Sequence, residues 1–194
     1  YGDECVYGLL ESDSDFLICT PTNSGKTLVG ILKAFQVVLA HQKRSVYVVP
    51  LKALAEEKAI EFKTITEGIA KHGGPRVKVS ITTGDYQLTD DFLGSPPPKE
   101  GQIVICTPER LEVMLRNAES HAWAKEVGVY IIDELHLLGE SKRGATVESL
   151  LTRIFTLGGS SCVIGLSATI GNLNKIESWF ASTGRVVKAT SLGY

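Results

Sequence analysis

Two kinds of segment alternate along the chain. Short runs rich in β-branched residues are separated by longer segments in which apolar residues recur at helical spacing. The short runs predict strands at 16–20, 45–49, 77–81, 103–106, 129–132 and 162–166. Because these runs are apolar at nearly every position, they predict a sheet that is covered on both faces.

The longer segments predict helices that cross from one strand to the next. Their apolar stripes run from Leu28 to Leu39, Ala55 to Ile69, Val147 to Leu157 and Leu173 to Phe180. Thr107 followed by Pro108 is typical of a helix start. Repeated strand–helix units predict an α/β fold with a doubly wound, mostly parallel sheet and helices on both faces. Ligands of such sheets bind beyond the carboxyl ends of the strands, so we expect the functional residues there.

Composition narrows the class of protein. The 194 residues are 43% hydrophobic and 22% charged, which predicts one domain with a sizeable core and excludes a disordered, charge-rich chain. No apolar run reaches the roughly 18 residues of a spanning helix, and the first residues are acidic, so we expect a soluble protein. The net charge of −2 disfavours nucleic-acid binding by bulk charge, so any such contact must be local.

The four cysteines are Cys5, Cys19, Cys106 and Cys162, and none belongs to a CxxC pair. Three of them lie in or beside apolar, strand-like runs. This pattern predicts buried thiols in a reducing, intracellular compartment rather than a disulfide framework or a zinc site.

The string TPTNSGKT at 20–27 follows the first predicted strand and opens the first long helix. A strand, a loop ending in GKT and a helix form the setting of a phosphate-binding loop, or P-loop. Backbone N–H groups and the positive helix end would surround the phosphates, with Gly25 allowing close approach. Lys26 would add a positive charge and Thr27 a hydroxyl for Mg²⁺. The alternative is an ordinary turn and helix start.

The string DELH at 133–136 follows the apolar run 129–132 and places two carboxylates at a strand end. This is the edge of the sheet where the phosphate loop must also lie. We expect Asp133 to anchor Mg²⁺ and Glu134 to act as the base or to position the attacking water. A solvated strand end is the alternative.

Together with TPE at 107–109 and GLSAT at 165–169, these strings resemble the first RecA-like domain of superfamily-two DExH-box helicases. The strings VVPLKALAEEK, TGDYQL, IIDELHLLGESKRGATVE and GLSATIGN are similar to the Ski-two-like branch, especially its archaeal DNA-repair helicases. The similarity runs from about Phe16 to Phe180, which is nearly the whole chain.

This resemblance implies a RecA-like P-loop NTPase domain that uses ATP and Mg²⁺ to drive movement along single-stranded nucleic acid, with DNA favoured over RNA. It implies phosphate binding by Thr22, Asn23, Ser24, Gly25, Lys26 and Thr27, with Lys26, Asp133 and Glu134 as the catalytic residues. It assigns coupling between hydrolysis and domain movement to His136, Ser167, Ala168 and Thr169. It assigns nucleic-acid contacts to Pro50, Lys52, Thr83, Gly84, Thr107, Pro108 and Arg143.

Several readings stay open at this point. A helix cap would account for Thr107, and a solvated charge for Lys52 or Arg143. No QxxGRxxR-like string is present, and in the resembling family that string lies on a second RecA-like domain. The resemblance therefore implies one domain of a longer helicase, with little turnover on its own. The alternatives are an RNA helicase of the same branch, a P-loop ATPase acting on protein, and a nucleotide-regulated scaffold without turnover.

Overall fold

The computed structural model describes residues 8–10, 12–20, 25–84, 101–118, 120–136, 143–157, 159–168, 173–185 and 187–191. Its strands are β1 (Asp15–Cys19), β2 (Arg44–Val48), β3 (Lys78–Thr82), β4 (Gln102–Cys106), β5 (Val127–Ile132), β6 (Cys162–Ser167) and β7 (Val187–Ser191). Its helices are α1 (Lys26–His41), α2 (Lys52–Lys71), α3 (Pro108–Arg116), α4 (Ser120–Lys125), α5 (Arg143–Leu157) and α6 (Leu173–Ser182).

The strands form one seven-stranded sheet in the order β3-β4-β2-β5-β6-β1-β7. Every pairing between described strands is parallel, for example Val46 with Tyr130 and Phe16 with Ile164. All carboxyl ends therefore lie at one edge of the sheet, which we call the carboxyl edge. The predicted fold class is confirmed, and the sheet is parallel throughout the described residues.

Helices cover both faces of the sheet, as the apolar strands predict. The core under α1 and α2 includes Ile31 and Phe62, and the core under α3 to α6 includes Leu111, Leu150 and Phe180. Burial of these side chains from both layers is the main source of stability in such a fold. The edge strand β3 departs from the prediction, because most of its residues are only partly buried.

Helix α1 lies close against the sheet at Gly30. A Cβ atom there would meet side-chain atoms of Leu166 at 3.0 Å, Ile131 at 3.2 Å and Tyr47 at 3.4 Å. The missing side chain thus lets α1 approach strands β6, β5 and β2 together. This contact fixes the position of the amino end of α1, which carries the phosphate-loop residues.

Two elements are not predicted by the sequence patterns. Helix α4 has six residues, too few for an apolar stripe to be read, and β7 is a short edge strand with the mixed sequence VKATS. The predicted start of α3 is confirmed, with Thr107 extended at φ −92° and Pro108 as the first helical residue. The Thr107 side chain makes no capping hydrogen bond with the described residues.

The thiols of Cys19, Cys106 and Cys162 are free and buried, which confirms the prediction for these three. Burial raises the pKa of each thiol above its ordinary value, and that of Cys162 rises to about 11. Cys5 lies outside the described residues. None of the described helices combines the length and the apolar character needed to cross a membrane.

A buried carboxylate joins α3 to α5. Glu112 is 3% exposed and accepts hydrogen bonds from Ser149 Oγ at 3.0 Å and Arg153 Nη2 at 3.3 Å. Arg116 Nε lies 2.6 Å from its other oxygen. Burial alone would raise the pKa of Glu112, but the hydrogen bonds from Arg116 and Ser149 and the charges of both arginines outweigh it and hold the pKa below its ordinary value.

We predict that Glu112→Ala lowers the free energy of unfolding by about 2 kcal/mol at neutral pH, since it removes a buried, hydrogen-bonded charge. Because the pKa of Glu112 is lower in the folded state, its contribution is complete above the pKa of the unfolded chain and is lost as pH falls through the folded value. Urea unfolding at neutral pH and at acidic pH measures both effects.

The matched control is Glu67→Ala, which removes an exposed helical glutamate from α2. Its effect should stay within about 0.5 kcal/mol. Equal losses in the two variants, or a loss at Glu112 that does not shrink in acid, would contradict this role.

Candidate functional site

The strand order brings the predicted phosphate loop and acidic residues to one half of the carboxyl edge. Strands β5, β6 and β1 are consecutive neighbours in the sheet. Asp133 follows β5, Ser167 ends β6, and the segment 20–27 follows β1. Sequence-distant residues of the predicted nucleotide site therefore lie beside one another, as the parallel sheet requires.

The described part of the phosphate loop turns at Gly25, directly before α1. Gly25 precedes α1 with φ 81° and ψ 7°, a left-handed conformation that glycine adopts without strain. Its carbonyl accepts the helical hydrogen bond from the N–H of Val29 at 3.2 Å. The preceding Thr20 N–H is bound to Ser167 O at 3.1 Å, which ties the start of the loop to β6. Thr22, Asn23 and Ser24 lie outside the described residues.

Lys26 is the first residue of α1, and its side chain is 7% exposed. Its Nζ atom is buried and has no hydrogen-bond partner among the described residues. The Glu134 Oε2 atom lies 3.9 Å away, an ion-pair distance that is too long for a hydrogen bond. A buried ammonium without an acceptor is costly, so this end of α1 is suited to an anion.

The acidic segment is held by β2. The Asp133 N–H donates to Val48 O at 2.9 Å, and the Tyr47 hydroxyl donates to Asp133 Oδ2 at 3.1 Å. The other carboxylate oxygen, Oδ1, accepts from the Glu134 N–H at 2.9 Å. Glu134 itself has φ 54°, so the chain turns sharply directly after the strand. The Asp133 carboxylate is thereby held by hydrogen bonds at the carboxyl edge, and Glu134 is placed directly after it.

Burial raises the pKa of Asp133 above its ordinary value, and the neighbouring charge of Glu134 raises it further. The Glu134 N–H, the Tyr47 hydroxyl and the charge of Lys58 oppose the rise without cancelling it. The hydrogen bonds and the positive charge around Asp133 therefore do not fully offset the cost of burying its ionised form. A cation at this carboxylate would supply it.

An open pocket of about 470 Å³ lies between the start of α1, the acidic segment and α2. Its described lining residues are Gly25, Lys26, Thr27, Leu28, Ile31, Glu61 and Glu134. This volume lies within the range of small-molecule sites. The predicted phosphate-binding residues of α1 and the predicted base therefore face the same space.

His136 is adjacent to this pocket. Its Nδ1 atom lies 3.2 Å from Glu134 Oε2, the oxygen that also faces Lys26. The Glu134 side chain is 34% exposed, although its Oε2 atom, which lies between the two nitrogen groups, is buried. Glu134 therefore has two nitrogen groups close to one oxygen while the rest of its side chain is partly exposed.

The predicted coupling residues differ in their surroundings. Ser167 is fully buried, and its Oγ atom has no hydrogen-bond partner within the described ranges. Ala168 is partly buried, and Thr169 lies outside the described residues. Ser167 is the last residue of β6, the strand between β1 and β5. It therefore lies between the strand end that leads to the phosphate loop and the strand end that leads to the acidic segment.

Six of the seven predicted nucleic-acid contacts lie on the other half of the carboxyl edge; Arg143 does not. Strands β3, β4 and β2 are consecutive neighbours, and they lead to Thr83 and Gly84, to Thr107 and Pro108, and to Pro50 and Lys52. Lys52 and Gly84 are exposed, Pro50 is partly buried, and the other three are buried. The Thr83 hydroxyl is buried and unbonded in the described structure, so it is not presented to solvent. Arg143 begins α5.

Sequence reasoning did not identify Tyr47 or Glu61 as part of the site. Tyr47 is an aromatic residue within an apolar strand, a pattern that indicates only core packing. Glu61 lies on a helix surface three residues after Lys58, with which it forms an ion pair. Neither residue belongs to a motif, and their proximity to Asp133 or to the pocket follows from strand order and helix packing.

The donor set is compatible with Mg²⁺, which prefers oxygen ligands and is bound through few side chains together with water and phosphate oxygens. Thr27 lines the pocket, and Asp133 lies at the adjoining strand end. No cluster of three or more His, Cys, Asp or Glu side chains suited to a metal occurs in the described part of the chain.

The sequence model of the DEAD/DEAH box helicase family matches residues 3–176. The chain is 40% identical over 172 residues to the ATP-dependent DNA helicase Hel308 of Pyrococcus abyssi, covering 89% of this chain and 22% of that protein. It is 37% identical over 177 residues to the Hel308 of Methanococcus vannielii, covering 89% of this chain and 21% of that protein. The chain thus spans about a fifth of the length of these relatives.

Solved structures agree on the fold. The DUF1998 helicase MrfA matches 98% of this chain with a TM-score of 0.73 at 24% identity, over 30% of its own chain. The same helicase bound to DNA matches with a TM-score of 0.75 at 23% identity, over 97% of this chain and 26% of its own. With the family model covering most of the sequence, the chain belongs to the DEAD/DEAH box helicase family.

Proposed function

We propose that this chain is the ATP-binding domain of an ATP-dependent helicase that moves along single-stranded nucleic acid, with DNA favoured over RNA. One observation carries the proposal: the buried Lys26 ammonium, which has no hydrogen-bond partner among the described residues, stands at the amino end of α1, 3.9 Å from Glu134, and both residues line one open pocket. Positive charge, a helix amino end and a carboxylate in one space suit a nucleoside triphosphate better than any other common ligand.

Mg²⁺ would be held by Thr27 and Asp133 together with the phosphates, and it would supply neutralisation of the phosphate charge. The hydrogen bonds from Tyr47 and Glu134 fix the Asp133 carboxylate for this role. Its raised pKa is consistent with a site that is completed by a cation.

Lys26 would bind phosphate oxygens and stabilise the negative charge that grows on them in the transition state. Glu134 would orient the attacking water and accept its proton, since its side chain is partly exposed and lies beside Lys26 and His136. Thr22, Asn23 and Ser24 would add backbone N–H donors from the segment outside the described residues.

The other half of the carboxyl edge would bind the strand. Helix α3 begins at Pro108, so the amino end of a nine-residue helix faces this edge, and the exposed Lys52 begins α2 shortly after the neighbouring strand β2. Helix amino ends and lysines bind phosphates without reading bases, which suits a protein that moves along any sequence. Gly84, after β3, would let a backbone approach closely.

Support for DNA comes from the relatives, since those at 36–40% identity carry the name ATP-dependent DNA helicase Hel308. An RNA helicase of the same branch is the main alternative, because contacts with a phosphate backbone do not read bases. A P-loop ATPase acting on protein would account for Lys26 and Glu134 but leave the β3-β4-β2 half of the edge without a role.

A second RecA-like domain would complete the nucleotide site. None of the described residues that line the pocket is an arginine. Phosphoryl transfer in related enzymes gains about 10³- to 10⁵-fold in rate from an arginine on the transferred phosphate. We therefore infer that this cation comes from a further domain, with Ser167, Ala168, Thr169 and His136 passing the state of the nucleotide to it.

Replacement of Lys26 by Ala should weaken binding of Mg-ATP by about 10-fold or more, because it removes the buried cation at the phosphates. Isothermal titration calorimetry with a non-hydrolysable ATP analogue measures the change. Lys63→Ala, at an exposed position on α2, is the control and should bind normally. Unchanged affinity in Lys26→Ala would refute the assignment of the phosphate site.

The function itself is tested by ATP hydrolysis in the protein that carries this domain, measured with single-stranded DNA and RNA of matched sequence. We expect stimulation by DNA to exceed that by RNA, and Glu134→Gln to lower the stimulated rate about 100-fold while nucleotide still binds. Glu56→Gln, at an exposed position on α2, should behave as the unaltered protein does. Stimulation by neither strand would exclude a helicase.

A further inference from the structure

Tyr47 occupies a fixed position between the helices and the acidic segment. It lies on β2 and is fully buried, with its ring edge-on to Phe62 of α2 at 5.5 Å and an interplanar angle of 66°. Phe62 in turn packs against Phe35 of α1 at 5.7 Å. The close approach of Gly30 brings α1 onto the same tyrosine ring. The phenol is therefore held by three elements and has little freedom to turn.

The hydroxyl of this buried ring reaches out of the core to the site. It donates to Asp133 Oδ2 at 3.1 Å, while the Glu134 N–H donates to Asp133 Oδ1 at 2.9 Å. One donor on each oxygen fixes the rotation of the carboxylate about its side-chain bond. The Glu134 N–H belongs to the same turn as Asp133, so the tyrosine is the donor that ties the carboxylate to a different strand.

Strand β2 stands at the boundary between the two halves of the carboxyl edge. It is hydrogen-bonded to β5, which leads to the acidic residues, and to β4, which leads to Thr107. The Val48 carbonyl accepts from the Asp133 N–H, and the Val49 N–H donates to Cys106 O. Pro50 and Lys52 follow within a few residues. Tyr47 thus joins the acidic segment to β2, the strand that leads to the predicted nucleic-acid contacts Pro50 and Lys52.

We propose that Tyr47 is a positioning residue for Asp133, whose hydroxyl holds the carboxylate in the orientation that receives the metal of the metal–nucleotide complex. This inference rests on the proposed function and extends it to a residue outside the helicase motifs. Outer hydrogen bonds of this kind orient metal-binding carboxylates, and their loss weakens metal binding or activity by about 10- to 100-fold.

A purely structural role is the competing explanation, since a buried phenol needs an acceptor for its hydroxyl. The chain offers a matched control in Tyr130, which is 2% exposed on the neighbouring strand β5. Tyr130 packs in the core layer on the opposite face of the sheet from Tyr47. Removal of its hydroxyl perturbs a buried tyrosine without touching the bond from Tyr47 to Asp133.

The test compares Tyr47→Phe, Tyr130→Phe and Asp133→Asn in the protein that carries this domain. The first readout is the free Mn²⁺ concentration that half-saturates the protein in the presence of a non-hydrolysable ATP analogue. The electron paramagnetic resonance signal of free Mn²⁺ measures this concentration. The second is kcat and KM for ATP at limiting and saturating Mg²⁺. Thermal unfolding reports on the fold, which phenylalanine should preserve through its ring contacts with Phe62.

We expect Tyr47→Phe to raise the half-saturating Mn²⁺ concentration about 10-fold and to lower kcat at limiting Mg²⁺, with KM for ATP at saturating Mg²⁺ unchanged. Tyr130→Phe should match the unaltered protein in both readouts. If Asp133→Asn weakens metal binding while Tyr47→Phe does not, the inference about Tyr47 is wrong and the proposed function stands. If Asp133→Asn has no effect either, the proposed metal site is wrong and the role of Tyr47 is refuted with it.

Discussion

A buried ammonium group that lacks a hydrogen-bond acceptor is the constraint on which the proposed site depends. Lys26 lies at the amino end of α1, where the helix adds its own positive potential, and Glu134 stands 3.9 Å away without neutralising it through a hydrogen bond. The cost of burying this charge is offset once an anion with several oxygens binds at the amino end of the helix. Gly30 makes the arrangement possible, because it lets α1 pack against three strands and holds Lys26 in place.

The strand order divides the carboxyl edge into two halves with different chemistry. Strands β5, β6 and β1 carry the acidic residues, Ser167 and the phosphate loop, while β3, β4 and β2 carry the segments expected to bind a nucleic-acid backbone. The halves meet where β2 pairs with β5. There, Asp133 is hydrogen-bonded to β2 through both its main chain and its side chain, so these bonds link the two strand ends directly.

The sequence predicts those features that depend on local pattern. Apolar runs followed by chemically distinctive residues locate Lys26 at a helix start and the Asp133–Glu134 pair at a strand end, and the parallel sheet then requires that they lie at one edge. Strand order cannot be predicted in this way, because periodicity identifies the strands but not which strands become neighbours in the sheet. The adjacency of β3, β4 and β2, and the contact between Tyr47 and Asp133, appear only when the chain is folded.

Other features escape prediction because they depend on burial. Thr83 belongs to a motif that predicts contact with nucleic acid, yet its hydroxyl is enclosed in the structure. Glu112 appears in the sequence as one charge on an amphipathic helix, and only the packing of α3 on α5 encloses it with Ser149 and Arg153. Helix α4 and strand β7 are too short for their composition to distinguish them from loops.

The most direct test of this account is a crystal structure of the protein with a non-hydrolysable ATP analogue and Mg²⁺. We predict that Lys26 Nζ lies within about 3 Å of a phosphate oxygen and that Thr27 and Asp133 are the residues near the metal. A nucleotide bound away from the amino end of α1, or carboxylates of Asp133 and Glu134 directed away from the phosphates, would contradict it.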